Sequence, residues 1–189
     1  MSVRSVRRLS RLVLALSLCW SPAAAQLEEW SSPPSATFNQ FLIEHTIVAT
    51  VFGNTVQCYS ALHKTWTVVT TAVPFPVVTK LNEHVMIQDG TTFHAYSART
   101  GTTSSIATVA GSFLVTPPQT WSSVVVDGTN VHVFFPLYGT WTTLTVAAAP
   151  VVYVGRQAAV VSDGVDCWGI SATRATIVPL GLPAVAAFS

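Results

Sequence analysis

The sequence predicts an all-β fold, and three observations carry that expectation. Residues 26–189 hold 24 threonines among many valines, and both residue types are stiff at χ1 and favoured in strands. Three Asp-Gly pairs, Asp89-Gly90, Asp127-Gly128 and Asp163-Gly164, follow short β-branched runs, the strongest short-range signal for a hairpin. No stretch sustains the apolar spacing of three and four residues that marks a helix, and prolines interrupt the chain throughout. With 189 residues, half of them hydrophobic and only 9% charged, the chain is long enough for one compact domain and too apolar for disorder.

The first 25 residues read as a secretory leader. Arg4, Arg7, Arg8 and Arg11 precede the apolar run Leu12 to Trp20, and Ala23-Ala24-Ala25 closes the segment with small residues. That order matches a signal peptide, and the run is too short to anchor in a bilayer. Its removal leaves five basic against eight acidic residues, a net charge of −3. The expectation is a secreted, periplasmic or cell-surface protein with no membrane span. Residues 26–38, with Glu28, Glu29 and Ser31-Ser32-Pro33-Pro34, read as a polar lead-in.

Residues 39–189 read as a fourfold repeat. Gly53, within Gly53-Asn54, extends the Asp-Gly series, and the four glycines stand 37, 38 and 36 residues apart. Runs such as Ile47–Val51, Val85–Ile87, Val124–Val126 and Val160-Val161 precede them. Tyr59, Tyr96 and Phe134 follow at a fixed distance, and a two-residue deletion brings Trp168 into that series. Each unit accommodates four short strands and their turns. Four-stranded units at this period predict a four-bladed β-propeller-like repeat domain, with a β-sandwich or a β-solenoid as the alternatives. Pro183 to Phe188 resembles the first strand of a further unit. The segments YSALHKTW (59–66), YSARTGTT (96–103) and FFPLYGTW (134–141) resemble the strand–turn–Trp stretch of kelch-type blades. The resemblance covers Phe41 to about Ser189 and implies a toroidal all-β fold with variable loops.

Near-zero net charge argues against a nucleic-acid partner. No phosphate-cradling glycine loop, zinc-spaced cysteine set or nucleophile-elbow serine occurs in the sequence, so no cofactor or catalytic residue is nominated. Asp89, Asp127 and Asp163 read as turn residues capping their own backbone. His94 and His132 stand four residues after their glycines. Gln57 holds that register in the first unit and, with the same deletion, Asp166 in the fourth. This recurring polar position suggests either the hydrogen-bonded side of a strand or a polar row around an axis. Trp66 and Trp141 fall in the repeat register and read as inter-blade packing, whereas Trp121, in the loop TPPQTW, reads as an exposed recognition residue. Cys58 and Cys167 read as equivalent, buried thiols.

Together these features predict a non-catalytic binding or surface-recognition module for an extracellular protein or glycan, with Trp121, His94, His132 and Asp166 as candidate binding residues. The rival readings are a small propeller hydrolase or lyase acting on an extracellular polymer, and a blade set that self-assembles into a homo-oligomer.

Overall fold

The computed structural model describes residues 40–117 and 119–181. The chain divides into Met1–Ser32 and Pro33–Ser189, and every described residue belongs to the second unit. The leader at 1–25, the lead-in at 26–38 and the strand expected at Pro183 to Phe188 lie outside the described residues.

Among the described residues the fold is all-β: four antiparallel, four-stranded sheets, each built from strands in chain order, stack as the blades of a β-propeller. Blade 1 comprises β1 (Gln40–Glu44), β2 (Ile47–Phe52), β3 (Thr55–Ser60) and β4 (Thr65–Thr70). Blade 2 comprises β5 (Val77–Lys80), β6 (His84–Asp89), β7 (Thr92–Ser97) and β8 (Thr102–Ala107). Blade 3 comprises β9 (Phe113–Val115), β10 (Ser123–Asp127), β11 (Asn130–Phe135) and β12 (Thr140–Thr145). Blade 4 comprises β13 (Val151–Val154), β14 (Ala158–Ser162), β15 (Cys167–Ser171) and β16 (Thr176–Pro179).

The glycine series sits where the spacing places it, in the turns between the second and third strands. Asp89 pairs with Thr92 across the two-residue turn Gly90-Thr91, and Gly90 has φ +59°. A positive-φ glycine at the first of two turn positions matches the twist of the flanking strands, as in a II′ hairpin. Blade 4 keeps the same register about its glycine, because Ser162 pairs with Cys167 and Asp163 N–H donates to Asp166 O at 3.3 Å, which leaves Gly164-Val165 at the tip. There is therefore no deletion in the fourth unit. Trp168, paired with Val161, is the structural equivalent of His94, paired with Ile87. Asp166 moves two positions away, to the first residue after the turn, and Cys167 is not the counterpart of Cys58.

Strand alternation gives each blade two faces, and successive blades bury them against one another. Ile47, Ala49 and Cys58 of blade 1 meet Val85, Ile87 and Tyr96 of blade 2. Met86, Phe93 and Ala95 of blade 2 meet Val125 and Phe134 of blade 3. Val124, Val131 and Phe135 of blade 3 meet Ala159, Val161 and Ile170 of blade 4. Tyr96 and Phe134 are fully buried, and burying side chains of this size contributes roughly 2–3 kcal/mol each. Trp141 packs beside Phe134 in the interface of blades 2 and 3, as its register implies. Trp66 stacks on Tyr59, on the face of blade 1 turned away from blade 2. Among the described residues no core cluster joins blade 1 to blade 4.

Candidate functional site

The antiparallel meander gives the propeller two ends of different chemistry. At one end lie the turns between second and third strands and the linkers between blades; this is the linker end. At the opposite end lie the turns joining first to second and third to fourth strands.

At the opposite end, one cavity of about 220 Å³ is lined by His45, Asn82, Glu83, Trp121 and Arg156. His45 follows β1, Asn82 and Glu83 follow β5, Trp121 lies between β9 and β10, and Arg156 follows β13. The equivalent turn of all four blades thus contributes to a single mouth. Backbone and side-chain bonds tie neighbouring turns together: Trp121 N–H donates to Arg156 O at 2.9 Å, and Asn82 Nδ2 donates to Gln119 O at 3.1 Å. Gln119 adopts φ +73°, an uncommon conformation for a residue with a side chain, and it places its carbonyl toward blade 2. Arg99 Nε donates to Glu83 Oε2 at 2.7 Å, and that bond, with the attraction of the carboxylate, raises the Arg99 pKa.

The mouth combines an indole, a guanidinium, a carboxylate, an amide and an imidazole. Such a set can stack a flat apolar surface on Trp121 while bonding polar groups around it. It supplies one carboxylate, so the paired-acid geometry of glycoside hydrolysis is not provided by these lining residues. Trp121 is half-buried, and its indole Nε1 is buried without a hydrogen-bond partner.

The other three candidate residues lie at the linker end and are not brought together. His94, on β7, bonds Ser105 Oγ through Nδ1 at 2.7 Å and places Nε2 3.5 Å from Asp89 Oδ2. His132, on β11, repeats this with Thr143 Oγ1 at 2.9 Å and Asp127 Oδ2 at 3.5 Å. Both histidines occupy the third of four strands, inside the sheet, so neither lines an axial edge. Asp166 is exposed beside the turn of blade 4, its amide donating to Asp163 Oδ1 at 2.9 Å. Among the described residues no three His, Cys, Asp or Glu side chains gather in a metal-holding group.

The turn aspartates act differently from the self-capping expected of them. The amides of Ala72 and Val73, in the linker from blade 1, donate to Asp89 at 2.7 and 2.8 Å. Val109 N–H and Ser112 Oγ, in the next linker, donate to Asp127 at 3.2 and 2.8 Å. Only Asp163 also caps its own turn, accepting from Val165 at 3.0 Å as well as from Ala147 of the third linker at 3.1 Å. Burial is the largest influence on Asp89 and Asp127 and pushes their pKa up. The hydrogen bonds and the nearby imidazoles together outweigh it, and both carboxyls titrate below the usual value. The amides of Asp166 and Val165 likewise hold Asp163 low.

No protein-family model and no curated protein matches the chain. Solved structures of β-propeller proteins do. Hsv2 of Kluyveromyces marxianus matches 72% of this chain and 46% of its own, at 12% identity and a TM-score of 0.41. A chain of the mitotic checkpoint complex matches 81% and 54% at 11% identity and 0.38. PorZ, a surface component of the type-IX secretion system of Porphyromonas gingivalis, matches 79% and 21% at 13% identity and 0.35. The chain spans about half the length of the first two.

Proposed function

We propose that this protein is an exported binding module that recognises an extracellular protein or glycan at the mouth formed by His45, Asn82, Glu83, Trp121 and Arg156. The observation that carries the reading is the convergence of one equivalent turn from each of four blades on a single cavity. Binding residues gather on loops held by a rigid scaffold, and here the scaffold repeats while the turn residues differ completely. An indole beside a guanidinium and an amide suits a ligand with a flat apolar face edged by hydroxyl or carbonyl groups. Export rests on the order of basic, apolar and small residues in positions 1–25. Kinship with kelch-type blades is part of this reading, supported by segments 59–66, 96–103 and 134–141 each running from a third strand through a turn into a fourth.

Arrays of immobilised glycans and peptides probed with wild-type protein and with Trp121→Ala test the reading. Wild-type signals should vanish in the variant while its far-ultraviolet circular dichroism still shows the folded sheets. Identical hits for both proteins would reject the mouth as the recognition site.

A further inference from the structure

The linker end carries a surface that the mouth does not explain. Phe52, Phe75, Val109, Phe113 and Val165 are 49–71% exposed there. A cavity of about 400 Å³ opens at this end, and a second of the same volume shares Ser112 and Phe113 with it and runs from there between the first strands of blades 2 and 3 as far as Thr79 and Thr116. The first cavity is otherwise lined by Val109, Ala110, Val126, Ala149 and Pro150 and by glycines. Contiguous exposed apolar surface of this kind marks an interaction site more often than scattered single residues do.

Two further observations bear on what occupies it. The first is rigidity. Phe75 stands between Pro74 and Pro76 with φ +57°, and its amide donates to Gly53 O at 2.7 Å. A strained, doubly proline-flanked residue that leaves its ring in solvent is a preorganised anchor, which lowers the ordering cost of binding. The second is charge. Every lysine and arginine of the described residues, Lys64, Lys80, Arg99, Arg156 and Arg174, lies at or beside the opposite end. Among the described residues the acidic side chains at the linker end are Asp89, Asp127 and Asp163 beneath the apolar rim, and Asp166 exposed on it; His94 and His132 lie 3.5 Å from Asp89 and Asp127. An apolar surface over carboxylates, with two imidazoles but no lysine or arginine beside it among the described residues, disfavours anionic lipid headgroups and attracts basic residues.

We propose that the linker end is a second docking surface, which takes an apolar segment of a protein partner flanked by lysine or arginine. The segment lays its apolar side chains against Phe75 and into the groove beside Phe113, and its basic flanks face Asp166 and the carboxylates below.

The test uses the full chain and three probes: a peptide with a Leu-Phe-Leu core between lysines, the same core between glutamates, and phosphatidylglycerol vesicles. The lysine-flanked peptide should bind at least about tenfold tighter than the glutamate-flanked one, and the difference should shrink at high salt. Phe75→Ser and Phe113→Ser should each remove most of that binding, whereas Arg174→Ala should leave it intact. Asp166→Lys, a change at an exposed site, should cancel the preference for basic flanks without affecting folding. Equal binding of both peptides, binding to vesicles alone, or sedimentation showing this face occupied by a second copy of the chain would each overturn the proposal.

Discussion

The carboxylate of Asp89 accepts the backbone amide of Val73 at 2.8 Å and so joins the second blade to the linker that leads into it. Ala72 supplies a second bond to the same carboxylate. The relationship recurs from Asp127 to Val109 and from Asp163 to Ala147, once per blade boundary. Each aspartate thereby fixes where its blade starts relative to the preceding one. Blade 1, with no linker before it among the described residues, has Phe52 at that position.

Asp89→Ala should destabilise the fold by about 1–3 kcal/mol, because two linker amides lose their acceptor. Asp127→Ala should behave alike, and Asp166→Ala, at an exposed turn position, should stay within about 0.5 kcal/mol of wild type. Denaturant titration of the three variants checks the ranking. Equal effects at all three positions would mean that the bonds to the linkers contribute nothing.

His84 gives the fold a pH dependence above that of the carboxylates. It is fully buried, bonds Ser123 Oγ at 2.6 Å, and burial drives its pKa from 6.5 down to about 3. The folded value lies below the unfolded one, so the unfolded chain binds the extra proton and stability rises with pH across that window. Stability should be complete above about pH 6.5 and fall by about 1.4 kcal/mol per unit as pH drops toward 3. The lowered values of Asp89, Asp127 and Asp163 remove further stability only as pH falls below the usual carboxyl value of 3.8. Melting temperatures between pH 7 and 4 should decline in wild type and stay nearly flat in His84→Gln. A flat wild-type profile would contradict the buried neutral imidazole.

Gly90→Val should cost about 1–3 kcal/mol, because a β-branched residue is strained at φ +59°. Gly155→Ala, at a glycine outside the positive-φ region, tests the alternative that any added methyl does harm: a Cβ there meets Ala158 O at 3.2 Å. Chemical denaturation of both variants separates conformational strain from crowding, and a larger loss at Gly155 would reverse the assignment.

The sequence carried the scaffold because one device repeats. A glycine that must accept positive φ appears once per unit, and the strands on either side follow from their β-branched runs. The same signal misled at the fourth unit. Matching aromatic to aromatic suggests a deletion before Trp168, whereas the turn at Gly164-Val165 keeps the unit in step and gives Trp168 the position that His94 holds in blade 2. The reach of Asp89 to Ala72 was hidden for a different reason: the partner is a backbone amide, which any linker residue offers. Of the mouth, Trp121 was legible as an aromatic outside the repeat register. His45, Asn82, Glu83 and Arg156 were not, since their shared property is the turn they occupy and not the residue type. Their common place in the turns between first and second strands, which recur in step with the glycine turns, is the signal that could have found them.

Cys58 should be inert in the native state. It is fully buried in the interface of blades 1 and 2 and unpaired with another cysteine, and burial pushes its thiol pKa up to about 12. Maleimide should label it only after denaturation. Rapid labelling of Cys58 in folded protein would show that the first two blades separate readily.

Hydrogen-exchange footprinting with a ligand identified on the arrays tests the central claim most directly. Protection should appear together in the four turns that carry His45, Asn82-Glu83, Trp121 and Arg156, and disappear in Trp121→Ala. Protection confined to one blade, or to the linkers at 71–76, 108–112 and 146–150, would contradict recognition at the mouth.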